Sequence, residues 1–260
     1  MTAAPLEPIT LDPRHHVNAY FRIERWELPP DDPDSDAPSA MGGRVPLDDH
    51  LRGSGGGLRA GALVSVLDSL GGLMSGLAVR PQWVVTTSML VTVAETSHVG
   101  PLRSFGRVLR RGRHSIVAGL DVVDEGRADR PVAAATMTSA VLDPGSMQLE
   151  FERPIAVPMP PPHAERRAPE DFFCVEPGEG PVTRLRLEDR LRNPWGIVHG
   201  GALAVLADEA ACRAAAAGDA GRARVAAVDS ALHYLRPARE GPLEARTEVV
   251  GRTDERALVR

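Results

Sequence analysis

The chain has 260 residues and a formal charge of −5, and all 30 of its basic residues are arginine. The absence of lysine excludes a Schiff-base mechanism and a phosphate-binding loop of the GK[ST] type, since both need an ε-amine. The acidic balance argues against general nucleic-acid binding. Two cysteines, Cys174 and Cys212, without a CxxC or HExxH motif, argue against a disulfide framework and a metal site.

The N-terminal part of the chain predicts no signal peptide, because no basic region precedes an apolar core, and we therefore expect a cytoplasmic protein. Residues 17–28 are rich in aromatic and β-branched side chains and predict a strand, while the Pro-, Asp- and Gly-rich residues 29–57 predict loops. Residues 61–79 are apolar except at Asp68 and the small serines. A charge at the bilayer centre costs about 2.5–3.5 kcal/mol, so we expect a buried helix rather than a membrane span.

The rest of the chain predicts long strands, a linker, and a second set of elements. The linker is residues 143–170, which hold seven prolines and show no clear periodicity. A second apolar helix is predicted over 201–217. Strands are predicted over 83–95, 104–125 with a turn at Arg111–Gly112, 131–142, 182–190, 223–238 and parts of 242–260.

The two halves of the sequence repeat each other. Gly61 to Asp68 aligns with Gly201 to Asp208 at an interval of 140 positions. The repeat predicts an N-terminal domain over 1–142, the linker, and a C-terminal domain over 171–260. The second copy ends before the residues that match the last two strands of the first, so we expect either a C-terminal fragment or a second sheet without those strands.

The strongest local motif runs from Asn193 through His199 to Gly201 and leads into the helix that carries Asp208. This stretch resembles the PaaI-like acyl-CoA thioesterases of the hotdog fold, and Tyr234 to Ala238 resembles their second common stretch. The resemblance implies an α+β double hotdog, in which each copy has a long central helix wrapped by an antiparallel sheet.

Thioester hydrolysis needs donors fixed where the oxyanion forms and a carboxylate that activates water or attacks directly. The glycines at 200 and 201 begin a helix, where backbone N–H groups are free and the dipole favours negative charge. Asp208 lies roughly 10 Å along the same helix from Gly201 and cannot serve the same carbonyl. The other copy must supply the carboxylate, which agrees with what the resemblance implies.

The two copies differ in what they retain. The first copy has Gly53, Arg59 and Ala60 where the second has Asn193, His199 and Gly200, so its oxyanion side looks lost. It keeps Thr86, where the second copy has Ala227. We therefore predict one working site between the halves and one degenerate pseudo-site with Asp208, Gly61 and Arg59. For most of these residues a purely structural role is the alternative.

The predicted roles in the working site follow. Asp68 is the base or nucleophile and the Gly201 N–H binds the oxyanion, while Asn193 and His199 position the carbonyl and Thr86 orients water. Substrate contacts are assigned to Gly200 and Arg236. The predicted function is hydrolysis of an acyl-CoA thioester without a metal or a cofactor, coenzyme A being part of the substrate.

Two other functions stay open on the same fold. The chain is alternatively a non-catalytic acyl-CoA-binding or regulatory protein whose sites have decayed. Hydration or dehydration of an acyl thioester is a third reaction, but the enzymes that catalyse it usually pair an Asp with a His at another spacing, and no pair with that spacing is found in this sequence. The resemblance is also compatible with a homo-oligomer of double-hotdog chains. The sequence does not define the acyl group.

Overall fold

The structure is a computed structural model that describes residues 9–10, 17–28, 40–143, 155–156, 166–193, 195–217 and 225–260. Most of the predicted linker over 143–170 lies outside the described residues, as do residues 29–39 of the predicted loop segment and Pro194 of the motif.

The first half of the chain carries one long helix and most of the strands. In chain order its elements are β1 (Ile9–Thr10), α1 (Val17–Tyr20), β2 (Glu24–Leu28), β3 (Ala40–Val45), α2 (Ala60–Ala78), β4 (Trp83–Val93), β5 (Leu102–Arg111), β6 (Ser115–Asp124) and β7 (Arg130–Leu142). The second half contains β8 (Ile155–Ala156), α3 (Pro169–Phe172), β9 (Val175–Pro177), β10 (Val182–Leu185), α4 (Gly200–Ala216), β11 (Asp229–His233), β12 (Leu243–Arg246), β13 (Val249–Arg252) and β14 (Ala257–Val259).

The largest sheet has seven antiparallel strands in the order β11-β4-β7-β6-β5-β3-β2. Alternate residues of β6 are buried, because successive side chains of a strand point to opposite faces. They include Ala118, Leu120 and Val122, which share one core with the apolar face of α2. The predicted α+β class, with a long helix against an antiparallel sheet, is confirmed.

The helix α2 is buried on two sides. By length and composition it is apolar enough to cross a membrane, with a hydropathy of 1.4, but 78% of its most apolar window is buried inside the protein. One side packs on the sheet and the other on α4. Glycines permit the close approach of the two helices: a β-carbon at Gly201 would lie 2.7 Å from Ser65 Cα, and one at Gly61 would lie 2.8 Å from Val205 Cα.

The second half contributes one strand to the large sheet. β11 pairs with β4, with Asp229 opposite Thr92 and His233 opposite Ser88. β9, β10 and β12 form a separate three-stranded sheet, and β13 pairs with β14. The edge of β4 therefore joins the two halves and brings the segment after β11 close to α2.

The prediction of loops throughout residues 29–57 is wrong, because β3 (Ala40–Val45) pairs with β2 and β5 in the large sheet. Three predicted strands are shorter than the sequence indicated. Residues 17–20 form the helix α1, and the strand begins only at Glu24, because Tyr20 and Phe21 turn into an aromatic cluster. The strand predicted over 182–190 ends at Leu185 and gives way to a 3-10 turn at 189–191, where Asp189 pairs with Arg192 at 3.0 Å. In the segment 223–238, only Asp229–His233 is a strand, and residues 223–224 lie outside the described chain.

The aromatic cluster also joins the halves. The rings of Tyr20 and Phe172 stack with centroids 3.9 Å apart and an interplanar angle of 12°. Each ring ends a short helix, and two residues later the backbone is left-handed, at Arg22 (φ 50°) and Cys174 (φ 56°). The same local pattern thus occurs once in each half, although the surrounding sequence did not predict it.

The loops that precede the two long helices are also alike. Arg52 Nη1 donates to Gly56 O at 2.6 Å, and Arg192 Nη1 donates to Gly196 O at 2.8 Å. Both glycines have positive φ, 84° and 72° respectively, which a residue with a side chain rarely adopts. Each arginine therefore holds together the turn that sets the start of the following helix.

Candidate active site

Asp68 is buried in the middle of α2 and is held by a threonine of the neighbouring strand. The residue is 7% exposed, and Thr86 Oγ1 donates a hydrogen bond to Asp68 Oδ1 at 2.8 Å. The register of β4 against β7 shifts between Thr86 and Ser88, so one residue is bulged. Bulges re-aim side chains, and here the strand directs Thr86 to the carboxylate. The second oxygen, Oδ2, faces the start of α4.

The N-terminus of α4 meets this carboxylate at a glycine. A β-carbon at Gly200 would lie only 2.7 Å from Asp68 Oδ2, so no larger residue fits without displacement. His199 Nδ1 lies 3.6 Å from the same oxygen. The structure therefore brings together residues of both halves: Asp68 and Thr86 from the first, His199 and Gly200 from the second.

The first backbone N–H groups of α4 differ in whether they have a hydrogen-bond partner. The Gly201 N–H donates to His199 Nδ1 at 2.9 Å, and the Ala202 N–H donates to His199 O at 2.9 Å. Within the described part of the chain, the Gly200 N–H has no partner. The first N–H groups of a helix lack intrahelical acceptors, and this one is left over. The Gly201 N–H, which the sequence predicted to bind an oxyanion, is thus engaged by His199, and the Gly200 N–H is the donor left at this helix start.

His199 is neutral in this arrangement. Since Nδ1 accepts the Gly201 N–H, the ring proton is assigned to Nε2, which lies 3.4 Å from Ser69 Oγ. Burial lowers the pKa of His199, and the negative charge of Asp68 only partly opposes that shift. The histidine thus caps α4 and stays uncharged beside the carboxylate.

Asn193 organises the loop before α4. Its Oδ1 accepts the Trp195 N–H at 3.0 Å and the Ile197 N–H at 3.3 Å, which closes a turn of the kind that Asn favours. With the oxygen used in this way, the amide nitrogen is the polar atom left for a ligand. Asn193 also lines the main cavity, as its predicted role requires.

Tyr234 belongs to the site, although the sequence did not assign it a role. Its hydroxyl donates to Gly200 O at 3.2 Å, and its N–H donates to Thr87 O at 2.9 Å. Burial, followed by the negative charge of Asp68, raises its pKa well above the usual value of 10.0, so the hydroxyl keeps its proton. The tyrosine therefore holds the Gly200 peptide in place from the end of β11.

A cavity of about 480 Å³ opens from Asp68 between the halves. Its apolar wall includes Leu73, Trp83, Leu142, Trp195 and Leu203. Arg236 lines it and is exposed, and no ion pair of Arg236 occurs within the described residues. Arg192 and Arg239 also line it, but both donate to backbone carbonyls of the surrounding loops. Among the described residues, no cluster of three His, Cys, Asp or Glu side chains could hold a metal ion.

The second predicted site is filled. Asp208 Oδ2 accepts the Gly61 N–H at 3.0 Å, so the carboxylate is used to cap the neighbouring helix. Arg59 takes the position that corresponds to His199 and forms ion pairs with Glu170 and, at 2.5 Å, with Glu209. The adjoining cavity measures only about 30 Å³. The two aspartates at equivalent positions therefore have different surroundings.

Residues 196–260 match the thioesterase superfamily. This segment contains α4 and the strands that follow it, and a search of curated proteins found no match.

Three solved structures illustrate the similarity. Conserved protein PA5202 from Pseudomonas aeruginosa is 25% identical, with a TM-score of 0.42 over 50% of this chain and 97% of its own. Thioesterase HI1161 from Haemophilus influenzae is 17% identical, with a TM-score of 0.42 over 52% of this chain and 86% of its own. Protein BH2602 from Bacillus halodurans, solved with CoA, is 20% identical, with a TM-score of 0.41 over 49% and 78%.

Proposed function

We propose that the protein hydrolyses acyl-CoA thioesters at the site that contains Asp68. The observation that carries this proposal is the placement of a buried carboxylate, held on one oxygen by Thr86, opposite the start of α4, where the Gly200 N–H has no partner among the described residues. The match of residues 196–260 to the thioesterase superfamily supports the same reaction class.

The proposed reaction uses water and no covalent enzyme intermediate. Asp68 Oδ2 takes a proton from water, whose oxygen forms a bond to the thioester carbonyl carbon. The carbonyl oxygen becomes an oxyanion that the Gly200 N–H and the positive end of the α4 dipole stabilise. When the oxyanion collapses, the carbon–sulfur bond breaks. The thiolate of coenzyme A leaves and takes the proton from Asp68, and the free acid remains.

The other residues keep the reacting groups in place. Thr86 donates to Oδ1 and so leaves Oδ2 for water. Tyr234 fixes the Gly200 peptide, and His199 caps the helix so that its Gly201 N–H is satisfied. The amide nitrogen of Asn193 is assigned to the thioester carbonyl. Arg236 is assigned to a phosphate of coenzyme A, because the guanidinium fork binds two phosphate oxygens.

We further propose that the chain is a tandem of two hotdog units in the PaaI-like group, with one unit supplying Asp68 and the other the oxyanion donor. The matching arginine turns at Arg52 and Arg192 support this arrangement, as does the matching pair of short helices that end at Tyr20 and Phe172. In this tandem the site at Asp208 is inactive. The Gly61 N–H already donates to the Asp208 carboxylate, and Arg59 beside it is paired with Glu209.

The test is thiol release from acyl-CoA esters by the wild type, Asp68→Asn and Asp208→Asn. Both substitutions keep an oxygen acceptor and differ only in which site loses its charge. We expect Asp68→Asn to lower kcat/KM by about 100-fold or more, since general base catalysis contributes roughly 10²–10⁴-fold. Asp208→Asn should retain activity. Loss of activity in Asp208→Asn alone would refute the assignment, and binding of acyl-CoA without turnover would make this a binding protein.

A further inference from the structure

Gly72 lies one helical turn after Asp68 on the same face of α2 and lines the main cavity. A β-carbon at Gly72 would meet no heavy atom within 4 Å. By contrast, a β-carbon at the adjacent Gly71 would lie 2.8 Å from Met137 Cε, in the packed core. Gly72 therefore borders open space beside the carboxylate rather than the core.

The second long helix provides an internal comparison. Cys212 lies four residues after Asp208, as Gly72 does after Asp68, and Cys212 Sγ is 3.6 Å from Asp208 Oδ1. Burial raises the pKa of Cys212 to about 12, so the side chain is a neutral thiol that covers the carboxylate. The cavity beside Cys212 holds about 30 Å³, whereas the cavity beside Gly72 holds about 480 Å³. The filled and the open site thus differ in the residue one turn after the aspartate, which is Cys212 in the filled site and Gly72 in the open one.

Apolar side chains line the cavity next to Gly72, and they include two indole rings. A β-carbon at Gly76, one further turn along α2, would lie 3.4 Å from the ring of Trp83. Trp83 and Trp195 have ring centroids 4.7 Å apart. Eight residues separate Asp68 from Gly76, which corresponds to about 12 Å of helix. An extended chain advances about 1.2 Å per bond, so this distance holds about ten bonds.

We propose that Gly72 is a specificity-determining residue, over which the acyl chain passes from Asp68 towards Trp83 and Trp195. The substrate class is then unbranched, apolar acyl thioesters of about eight to ten carbons, as the length of the helix face indicates. The apolar side chains that line this part of the cavity, Leu73, Trp83 and Trp195, favour an apolar acyl chain. This inference rests on the proposed function.

The experiment measures kcat/KM for butanoyl-, octanoyl-, decanoyl- and hexadecanoyl-CoA with the wild type, Gly72→Ala and Gly72→Cys. Gly72→Cys places the side chain of the second helix in the first. We expect the wild type to prefer octanoyl- and decanoyl-CoA. In Gly72→Cys the ratio of the decanoyl to the butanoyl value should fall by about tenfold or more, with a smaller fall in Gly72→Ala. Gly251→Ala, on β13 and also facing open space, is the control that leaves the ratio unchanged.

Two results would overturn the inference. An equal loss at every chain length would place the pantetheine arm over Gly72 instead of the acyl chain. An unchanged ratio would show that the acyl chain takes another path. The thermal unfolding midpoint of each variant shows whether it is folded, so that a general loss of structure is not read as a change of specificity.

A binding measurement separates this inference from the proposed function. If the wild type hydrolyses none of the esters, the dissociation constants of non-hydrolysable thioether analogues of the same lengths are measured with the wild type and Gly72→Cys. A weaker affinity of Gly72→Cys for the decanoyl analogue alone supports the acyl path while hydrolysis has failed. Affinities that do not depend on chain length, or no binding of any analogue, overturn the inference.

Discussion

At the scale of single residues, the carboxylate of Asp68 depends on one hydroxyl. Thr86 Oγ1 is the donor to Oδ1, at 2.8 Å, and it leaves the other oxygen directed at Gly200. A hydrogen bond to a charged group contributes about 1.5–3 kcal/mol. Without it, the carboxylate would rotate and Oδ2 would lose its fixed direction.

Thr86→Val, which replaces the hydroxyl by a methyl group of similar size, should therefore lower kcat by about 10- to 100-fold. The measurement is steady-state thiol release, with the unfolding midpoint as a check on folding. Thr92→Val, at an exposed position of the same strand, is the matched control and should change kcat little. If both variants retain full activity, Thr86 has no part in orienting the carboxylate.

The sequence allowed most of the polar residues that line the candidate site to be named, but not the hydrogen bonds between them. Asn193 and His199 belong to a sequence motif, and Asp68 is the single charged residue of an apolar segment. Both features can be recognised in the sequence. The choice between Gly200 and Gly201 could not, because it depends on which N–H the imidazole of His199 engages. Tyr234 was also missed, since its proximity to Gly200 depends on the pairing of β11 with β4.

At the scale of elements, the crossing of α2 and α4 determines the distance between the carboxylate and the helix start. Backbone-to-backbone contact occurs at Gly61 and Gly201, where a β-carbon would approach a Cα of the other helix within 2.8 Å. Nothing larger than glycine fits there unless the helices separate. The small residues of these helices therefore position Asp68 opposite Gly200.

Gly201→Ala should lower the free energy of unfolding by about 1–3 kcal/mol, the usual cost of overpacking a close contact. Chemical denaturation at equilibrium measures the change. The control is the same substitution at Gly72, where the space is open and alanine should instead raise stability by about 0.5–1 kcal/mol. Equal effects at the two positions would contradict the description of the helix contact.

The predicted elements were correct where periodicity was long and failed where a short segment served tertiary packing. The helices predicted over 61–79 and 201–217 begin and end within one residue of α2 and α4. Residues 17–20 have the composition of a strand but form a helical turn, because the stacking of Tyr20 on Phe172 outweighs local propensity. The addition of β11 to the large sheet is likewise a result of packing between the halves.

At the scale of the whole molecule, a partly buried charge cluster links the start of α2 with α3 and α4. Arg59 pairs with Glu170 and Glu209, and Asp208 lies beside them, so one cation faces three carboxylates. Burial, followed by the neighbouring negative charges of Glu170 and Asp208, raises the pKa of Glu209 from 4.5 to about 7, although Arg59 opposes the shift. Between about pH 4.5 and pH 7, the folded protein therefore keeps a proton on Glu209 that the unfolded chain has released.

The stability of the protein should consequently depend on the charge of Glu209. Because its folded pKa is raised, its contribution is fully present below about pH 4.5 and is lost as the pH rises through about 7. Glu209→Gln should thus become more stable relative to the wild type between pH 5 and pH 8, as urea unfolding at several pH values would show. Glu244→Gln is the control. Hydrogen bonding with Arg184 lowers the pKa of Glu244, so the difference in stability between this variant and the wild type should stay constant between pH 5 and pH 8. A constant difference for Glu209→Gln would mean that Arg59 keeps Glu209 ionised throughout.

Placing Asp68 and Gly200 on one polypeptide also has a kinetic consequence. Two groups on separate subunits meet only while the subunits remain associated, whereas groups on one chain face each other at an effective concentration that the intervening chain sets. Dilution then leaves the encounter of α2 and α4 unchanged, because it is intramolecular. The cavity between these helices therefore assembles at the same rate, and to the same extent, in a cell that holds few copies of the protein as in one that holds many.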